Sequence, residues 1–305
     1  MAQSHAGLCV IVTGASSGIG KETARLLAER GAHVFAAMRV PDGKNARAAS
    51  ELAGAGLEAG GKCIPVPLEL TDDRSVRACI SEVIDREGKI DVLINCAGIM
   101  WRGPTEAFTT DQFDTVMQTN LYGPFRMIRA VLPHMRRNRS GLLISISSIA
   151  GRLVSPGSGI YAASKFALEA LSESLRYELA PIGIDSIIVE PGPFRTNLSA
   201  NGMAPEDAQV LQDYGFLEAI ISRPRLIEYI RQHPEISTDP SDVARAISHL
   251  VASPAGQRPL RTTVGHDMGV AKINTDVAAH QRRYMEMLQL ENLCQTAPDA
   301  SASPE

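Results

Sequence analysis

The chain has 305 residues, 44% of them apolar and 21% charged, which at about 100–200 residues per domain gives ample length for a buried core and excludes disorder throughout. Its longest apolar runs, such as residues 9–12 and 142–144, are far too short to cross a bilayer, so no membrane span is expected. The net charge is −4 and no basic block exceeds Arg136, Arg137 and Arg139, which leaves a nucleic acid partner without an electrostatic footprint.

Residues 1–7 lack both a positive start and an apolar run, so no signal segment is expected and the cytoplasm is the expected location. In chain order, the patterns read strand 8–13, helix 19–30, strand 33–39, a weak helix 46–55, strand 63–69, helix 73–87, strand 91–95, one long helix 110–137, strand 142–147, helix 161–180, strand 185–190, a helix near 241–252 and a last short strand near 261–265. Such alternation predicts a doubly wound α/β fold: a mostly parallel seven-stranded sheet with helices on both faces and ligands at the carboxyl ends of the strands. Residues 1–295 read as one domain, a broken, proline-rich stretch around 194–240 as a substrate lid, and the Ala/Ser/Pro-rich tail 296–305 as disordered. Cys9, Cys63, Cys79, Cys96 and Cys294 form no C-x-x-C pair and sit mostly in apolar runs, so they read as reduced core residues, and no metal site is expected.

The first strand ends in Thr13-Gly14-Ala15-Ser16-Ser17-Gly18-Ile19-Gly20 and enters a helix. Glycines there let the backbone approach a pyrophosphate at the positive helix N-terminus. The same residues satisfy G-x-S-x-G, the elbow of a hydrolase nucleophile, yet only about a dozen residues precede Ser16, too few for the earlier strands such a fold needs. Tyr161 has Lys165 four residues on, at the start of a strongly helical segment, where i and i+4 share a face. A neighbouring ammonium is expected to lower the phenol below its ordinary value of about 10.

With Asn95-Cys96-Ala97-Gly98, Asn120, Ser147-Ser148 and Pro191-Gly192 added in order, the sequence resembles the short-chain dehydrogenase/reductase family over residues 8–265, its hydroxysteroid and retinol dehydrogenase branch in particular. Cys96 departs from the family's N-N-A-G. The resemblance implies a Rossmann fold and an oxidoreductase that moves hydride between a nicotinamide cofactor and a secondary alcohol or ketone, with a bulky apolar substrate. It implies Tyr161 as acid/base, Lys165 on the nicotinamide ribose, Ser148 on the substrate oxygen and Asn120 in a proton relay. Gly14, Ser16, Ser17, Gly18, Ile19, Gly20, Glu69, Leu70, Asn95, Ala97, Gly98, Pro191, Gly192 and Thr196 would contact cofactor, with Glu69-Leu70 standing where the family usually has an Asp-hydrophobe pair. Adjacent strand residues face opposite ways, so only one of Ser147 and Ser148 meets the site, and the thirteen-residue spacing to Tyr161 selects Ser148. After the second strand stands Arg39 rather than an acid, which favours NADP, with NAD the alternative.

Trp101, Met100, Tyr214, Phe216 and Met203 are candidates to line an apolar pocket. The long helices 110–137 and 161–180 suggest a homodimer or tetramer, with Phe166, Ala170, Leu171, Ser174 and Tyr177 as a stripe that faces either the sheet or a partner. The competing reading is a non-catalytic dinucleotide-binding sensor or scaffold, against which the intact Ser148, Tyr161 and Lys165 stand.

Overall fold

Strand formation follows the β-branched runs. A computed structural model of the protein describes residues 5–198, 202–217 and 225–294. Its strands are β1 (Cys9–Thr13), β2 (His33–Met38), β3 (Lys62–Pro67), β4 (Val92–Asn95), β5 (Gly141–Ile146), β6 (Ile184–Pro191) and β7 (Arg261–Val264). All are paired in parallel in the order β3-β2-β1-β4-β5-β6-β7. The order reverses between β1 and β4, which opens a crevice beyond Thr13 and Asn95 where such sheets bind ligands.

Alternation along each strand divides the core. Val10, Val12, Val34, Ala36, Ile94, Ile144 and Ile187 pack on one face with α1 (Gly18–Glu29) and α9 (Pro240–Ala252). Ile11, Phe35, Leu93, Leu143 and Ile184 pack on the other with α3 (Asp73–Glu87), α5 (Gly123–Asn138) and α6 (Gly159–Leu179). Both faces of the central strands are covered, so those strands read as unbroken apolar runs. Around this frame lie α2 (Ala46–Ala53), α4 (Thr110–Met117), α7 (Ala208–Asp213), α8 (Arg225–Gln232) and α10 (Val270–Met287).

Three expectations change. The single helix over 110–137 is two helices joined by a π-turn, Gln118–Tyr122. Pro124 has no N–H to donate to the residue four back, Asn120, so the ladder shifts register there. The stripe on α6 does not face one way: Leu171 packs partly on the core, Phe166, Ala170 and Ser174 are exposed, and the fully buried face carries Leu168, Ser172, Leu175 and Leu179. The sequence pattern also gave no sign of α10, in which Val270 and Met285 are the buried residues, Ile273 is half-buried and the other described side chains are polar or exposed.

The stretch expected as a lid is anchored by its middle. Ala204 accepts a hydrogen bond from Gln112 Nε2 (2.9 Å), Glu206 N donates to Gln112 Oε1 (3.1 Å), and Tyr214 donates to Glu106 (2.8 Å). Residues 204–214 therefore rest on the segment leading from β4 into α4. Trp101 is buried with Val116 and Ile160, whereas Met203 and Phe216 are exposed. The tail 296–305 lies outside the described residues. Cys9, Cys63 and Cys79 are buried, and burial pushes their thiols up to about 12.

Candidate active site

At the end of β1 the backbone turns under steric constraint. Gly14 takes φ +70°, and a Cβ there would lie 2.7 Å from Ala97 Cα; a Cβ on Gly20 would lie 2.5 Å from the Gly14 carbonyl oxygen. Only glycine permits this closeness. Thr13, whose part the sequence reading did not isolate, fastens the turn to β4, its hydroxyl accepting from Cys96 N (3.0 Å) and Ala97 N (3.1 Å). Ser17 caps α1 without a side-chain bond to it, and no acidic residue stands in the first turn of this twelve-residue helix. The positive end of α1 thus faces a cavity of about 360 Å³ lined by Ser16, Ser17, Gly18, Lys21, Arg195 and Thr196 among others.

The opposite wall comes from the loops after β6 and β2. Pro191 closes β6, and Gly192 follows where a Cβ would lie 2.3 Å from the His266 carbonyl oxygen. Thr196 reaches across, its Cβ 3.2 Å from the Cβ position of Gly18. Arg39 is exposed one residue beyond β2. Glu69 engages Thr71, accepting from its N (3.3 Å) and hydroxyl (3.0 Å), while Leu70 is buried.

Four side chains converge beside this cradle. Asn120 sits in the π-turn, fully buried; its Oδ1 accepts from Ile99 N (2.9 Å) and its Nδ2 donates to Ile99 O and Ser164 Oγ (both 2.9 Å). Ser164 in turn donates to the Tyr161 carbonyl (2.7 Å), so the π-turn is bolted to α6. Lys165, buried, donates to the Ile146 carbonyl at 2.9 Å, and its Nζ lies 5.8 Å from the centre of the Tyr161 ring. The Cβ position of Gly98 falls 3.3 Å from Asn120 Oδ1 and 3.7 Å from Lys165 Nζ. Ser148 opens the loop after β5, accepts from Ala150 N (3.1 Å), and acts on the Tyr161 hydroxyl in the direction that lowers its pKa. Ser147 turns away, as alternation requires: it is buried against Gly151 and its hydroxyl has no partner. Asn95 is buried too, with both amide atoms unpartnered.

Electrostatics depart from the sequence expectation at Tyr161. Burial pushes its hydroxyl up to about 12, and the contact that opposes this is Ser148, not Lys165. Burial also brings Lys165 down to about 8. Desolvation outweighs the attraction between ammonium and phenolate, because both groups leave water together. The result is a phenol that holds its proton at neutral pH beside an amine held below its ordinary value. Among the described residues no group of three or more His, Cys, Asp or Glu is arranged to hold a metal, and no helix is long and apolar enough to cross a membrane.

Comparison with known proteins agrees with this fold. The family model for short chain dehydrogenases matches residues 8–207. A 3-ketodihydrosphingosine reductase of Bacteroides thetaiotaomicron is 36% identical over 258 residues, 84% of this chain and 87% of that one. Among solved structures, a short-chain dehydrogenase from Streptomyces avermitilis shares 30% identity at a TM-score of 0.72, covering 92% of this chain and 98% of its own. A metagenomic short-chain oxidoreductase in complex with NADP shares 25% identity at a TM-score of 0.65, covering 86% of this chain and 98% of its own. Fold, site and relatives together define an oxidoreductase enzyme. The chain belongs to the short-chain dehydrogenase/reductase family.

Proposed function

We propose that the enzyme transfers hydride between NADP(H) and a secondary alcohol or ketone bearing a bulky apolar group, with Tyr161 as acid/base. The observation that carries this reading is the buried convergence of Ser148, Tyr161, Lys165 and Asn120 beside a glycine cradle at a helix N-terminus. The cradle fits a dinucleotide: the N-terminus of α1, with no side-chain cap bond and no acid in its first turn, opens on a cavity lined by Ser16, Ser17, Gly18 and Lys21. Gly14, Ser16, Ser17, Gly18, Ile19 and Gly20 would hold the pyrophosphate. Glu69, Leu70, Asn95, Ala97 and Gly98 would flank the adenosine half and the bridge, and Pro191, Gly192 and Thr196 the nicotinamide end. Arg39, at the mouth beyond β2, suits a 2′-phosphate, and the NADP bound to the metagenomic relative supports that choice.

When bound, the nicotinamide supplies or accepts the hydride. In ketone reduction negative charge develops on the substrate oxygen, and Ser148 and Tyr161 present hydroxyl donors to it. Tyr161 gives its proton to that oxygen. A phenol pushed up to about 12 carries its proton at neutral pH, the form a donor needs, and the charge developing on the substrate oxygen must draw that proton away. Lys165, held by the Ile146 carbonyl, places its amine beside the phenol ring, and Asn120 keeps the π-turn and α6 in register. Oxidation of an alcohol runs these steps in reverse.

A ketone is the substrate named for the Bacteroides relative, and the apolar wall of Trp101, Ile160 and Val116 near the site supports an apolar one here. NADPH consumption against a panel of aliphatic, aryl and steroid-like ketones tests the reading. Turnover on apolar ketones is expected, and cofactor binding without turnover on any of them would favour the sensor or scaffold instead. A two-fold partner on α4 to α6 is the assembly we propose, supported by Phe113, Tyr122, Phe125 and Phe166, each about two-fifths exposed there.

A further inference from the structure

Behind the site lies a second ionisable cluster. Tyr161, Lys165, Glu169 and Glu173 follow one another at four-residue steps along α6. Glu169 Oε2 accepts from Arg261 Nε of β7 at 2.7 Å, and Glu173 Oε2 accepts from the same guanidinium at 2.6 Å. Tyr177 donates to the other Glu173 oxygen (2.7 Å). Glu190 of β6 is fully buried; its Oε2 accepts from Asn274 Nδ2 of α10 at 2.5 Å, while its Oε1 stays 3.9 Å from Arg261 Nε, beyond hydrogen-bond reach. Three carboxyls thus face one guanidinium out of water, which favours retention of a proton.

Two oxygens have no donor: Glu169 Oε1 and Glu190 Oε1. Both carboxyls look onto one guanidinium nitrogen, Arg261 Nε, which lies 2.7 Å from Glu169 Oε2 and 3.9 Å from Glu190 Oε1. A single proton between them satisfies both, which no arrangement of two ionised carboxylates does. The contacts of this pair reach three of the elements that carry the site. Glu169 stands one turn after Lys165, and its Oε1 lies 3.0 Å from the Cβ position of Gly151, in the loop that Ser148 opens, where Ser147 also packs. Glu190 directly precedes Pro191 and Gly192.

We infer that Glu169 and Glu190 share one proton at neutral pH and act as positioning residues, clamping α6, the Ser148 loop and the Pro191-Gly192 turn together from behind the site. The positioning role rests on the function proposed above; the shared proton does not. Burial first, then the charge of Glu169, pushes the Glu190 carboxyl up to about 8 from 4.5. The folded chain therefore keeps a proton that the unfolded chain loses. This group's contribution to stability is greatest below pH 4.5, falls as pH rises toward about 8, and changes no further above it.

Difference infrared spectroscopy of the full chain between pH 7 and pH 10, with Tm measured from pH 5 to 9, tests the pair. Wild type is expected to show the carbonyl stretch of a buried protonated carboxyl at pH 7 and to lose it at pH 10. Glu190→Gln removes the band by removing the acid. Glu169→Gln removes it by offering Glu190 an amide donor, which favours its ionised form. The Tm of wild type should fall relative to Glu190→Gln between pH 5 and 8, and the two curves should run parallel above that. On an active ketone substrate, the loss of kcat from pH 7 to 9 should be smaller in Glu190→Gln than in wild type. Absence of the band in wild type at pH 7, or its survival in both variants, overturns the shared proton; the wild-type spectrum decides this even where a variant fails to fold. Identical alkaline profiles of kcat overturn the positioning role. An enzyme without turnover on any ketone would sink the proposed function while leaving the infrared and Tm results readable.

Discussion

Ser148 and Ser147 are neighbours of the same type with opposite surroundings. Ser148 acts on the Tyr161 hydroxyl in the direction that lowers its pKa, so Ser148→Ala, which removes a donor to the developing oxyanion, should lower kcat by about 10²-fold or more, the usual scale for removing such a donor. Ser147 buries an unpartnered hydroxyl, and its removal to Ala loses no hydrogen bond. Steady-state rates within about two-fold of wild type and an unchanged or higher Tm are expected for Ser147→Ala; a larger catalytic loss there than at Ser148 would reverse the assignment. Arg39 is exposed, so its effect should be electrostatic and confined to the phosphate. Arg39→Asp should raise the Kd for NADPH far more than that for NADH, as titration by cofactor fluorescence would show, and equal losses would contradict the NADP reading. At this scale the sequence was most informative where spacing carries the chemistry. Tyr161 and Lys165 share a helical face, and thirteen residues separate Ser148 from Tyr161. It misjudged the direction of the Tyr161 shift, because burial depends on how α6 packs under the loops, and no local pattern reports that. It also passed over Glu169 and Glu190, whose partners Arg261 and Asn274 come from distant elements.

The strands were legible because buried parallel strands are written as β-branched runs, and most ends fell within one or two residues of the pattern. Helix α10 was not, since few of its side chains pack inward and it has no apolar stripe to read. The break at Asn120 was hidden for a different reason: apolar periodicity runs through the π-turn, and the clue was Pro124 rather than any change in hydrophobicity. An element-level prediction concerns the far end of α6. Asp185 of β6 is fully buried between Arg176 (2.8 Å) and Arg258 (2.6 Å), and Gly256 N also donates to it (3.2 Å). Asp185→Ala leaves two nearly buried guanidinium groups without their carboxylate, which should cost about 3–5 kcal/mol of stability by urea denaturation. A loss below about 1 kcal/mol would mean that water or rearranged carbonyls replace the carboxylate.

At the scale of the whole molecule, the described residues leave one apolar flank exposed. Phe113, Tyr122, Phe125 and Phe166 lie along α4, the π-turn, α5 and α6, the elements that also carry Asn120, Tyr161 and Lys165. Covering that flank with a second copy would bury the aromatic rings and stiffen the catalytic helix from outside. Light scattering at micromolar concentration should return at least twice the 32.7 kDa chain mass, and Phe166→Glu should shift it to the monomer. A wild-type monomer would reject this assembly. The central claim, though, is that Tyr161 donates the proton in nicotinamide-dependent ketone reduction. Its most direct test is NADPH consumption by wild type and Tyr161→Phe on the same ketone, with NADPH affinity measured alongside. A loss of about 10²–10⁴-fold in kcat with cofactor affinity retained is the predicted result, and a variant that keeps more than about a third of wild-type turnover would contradict it.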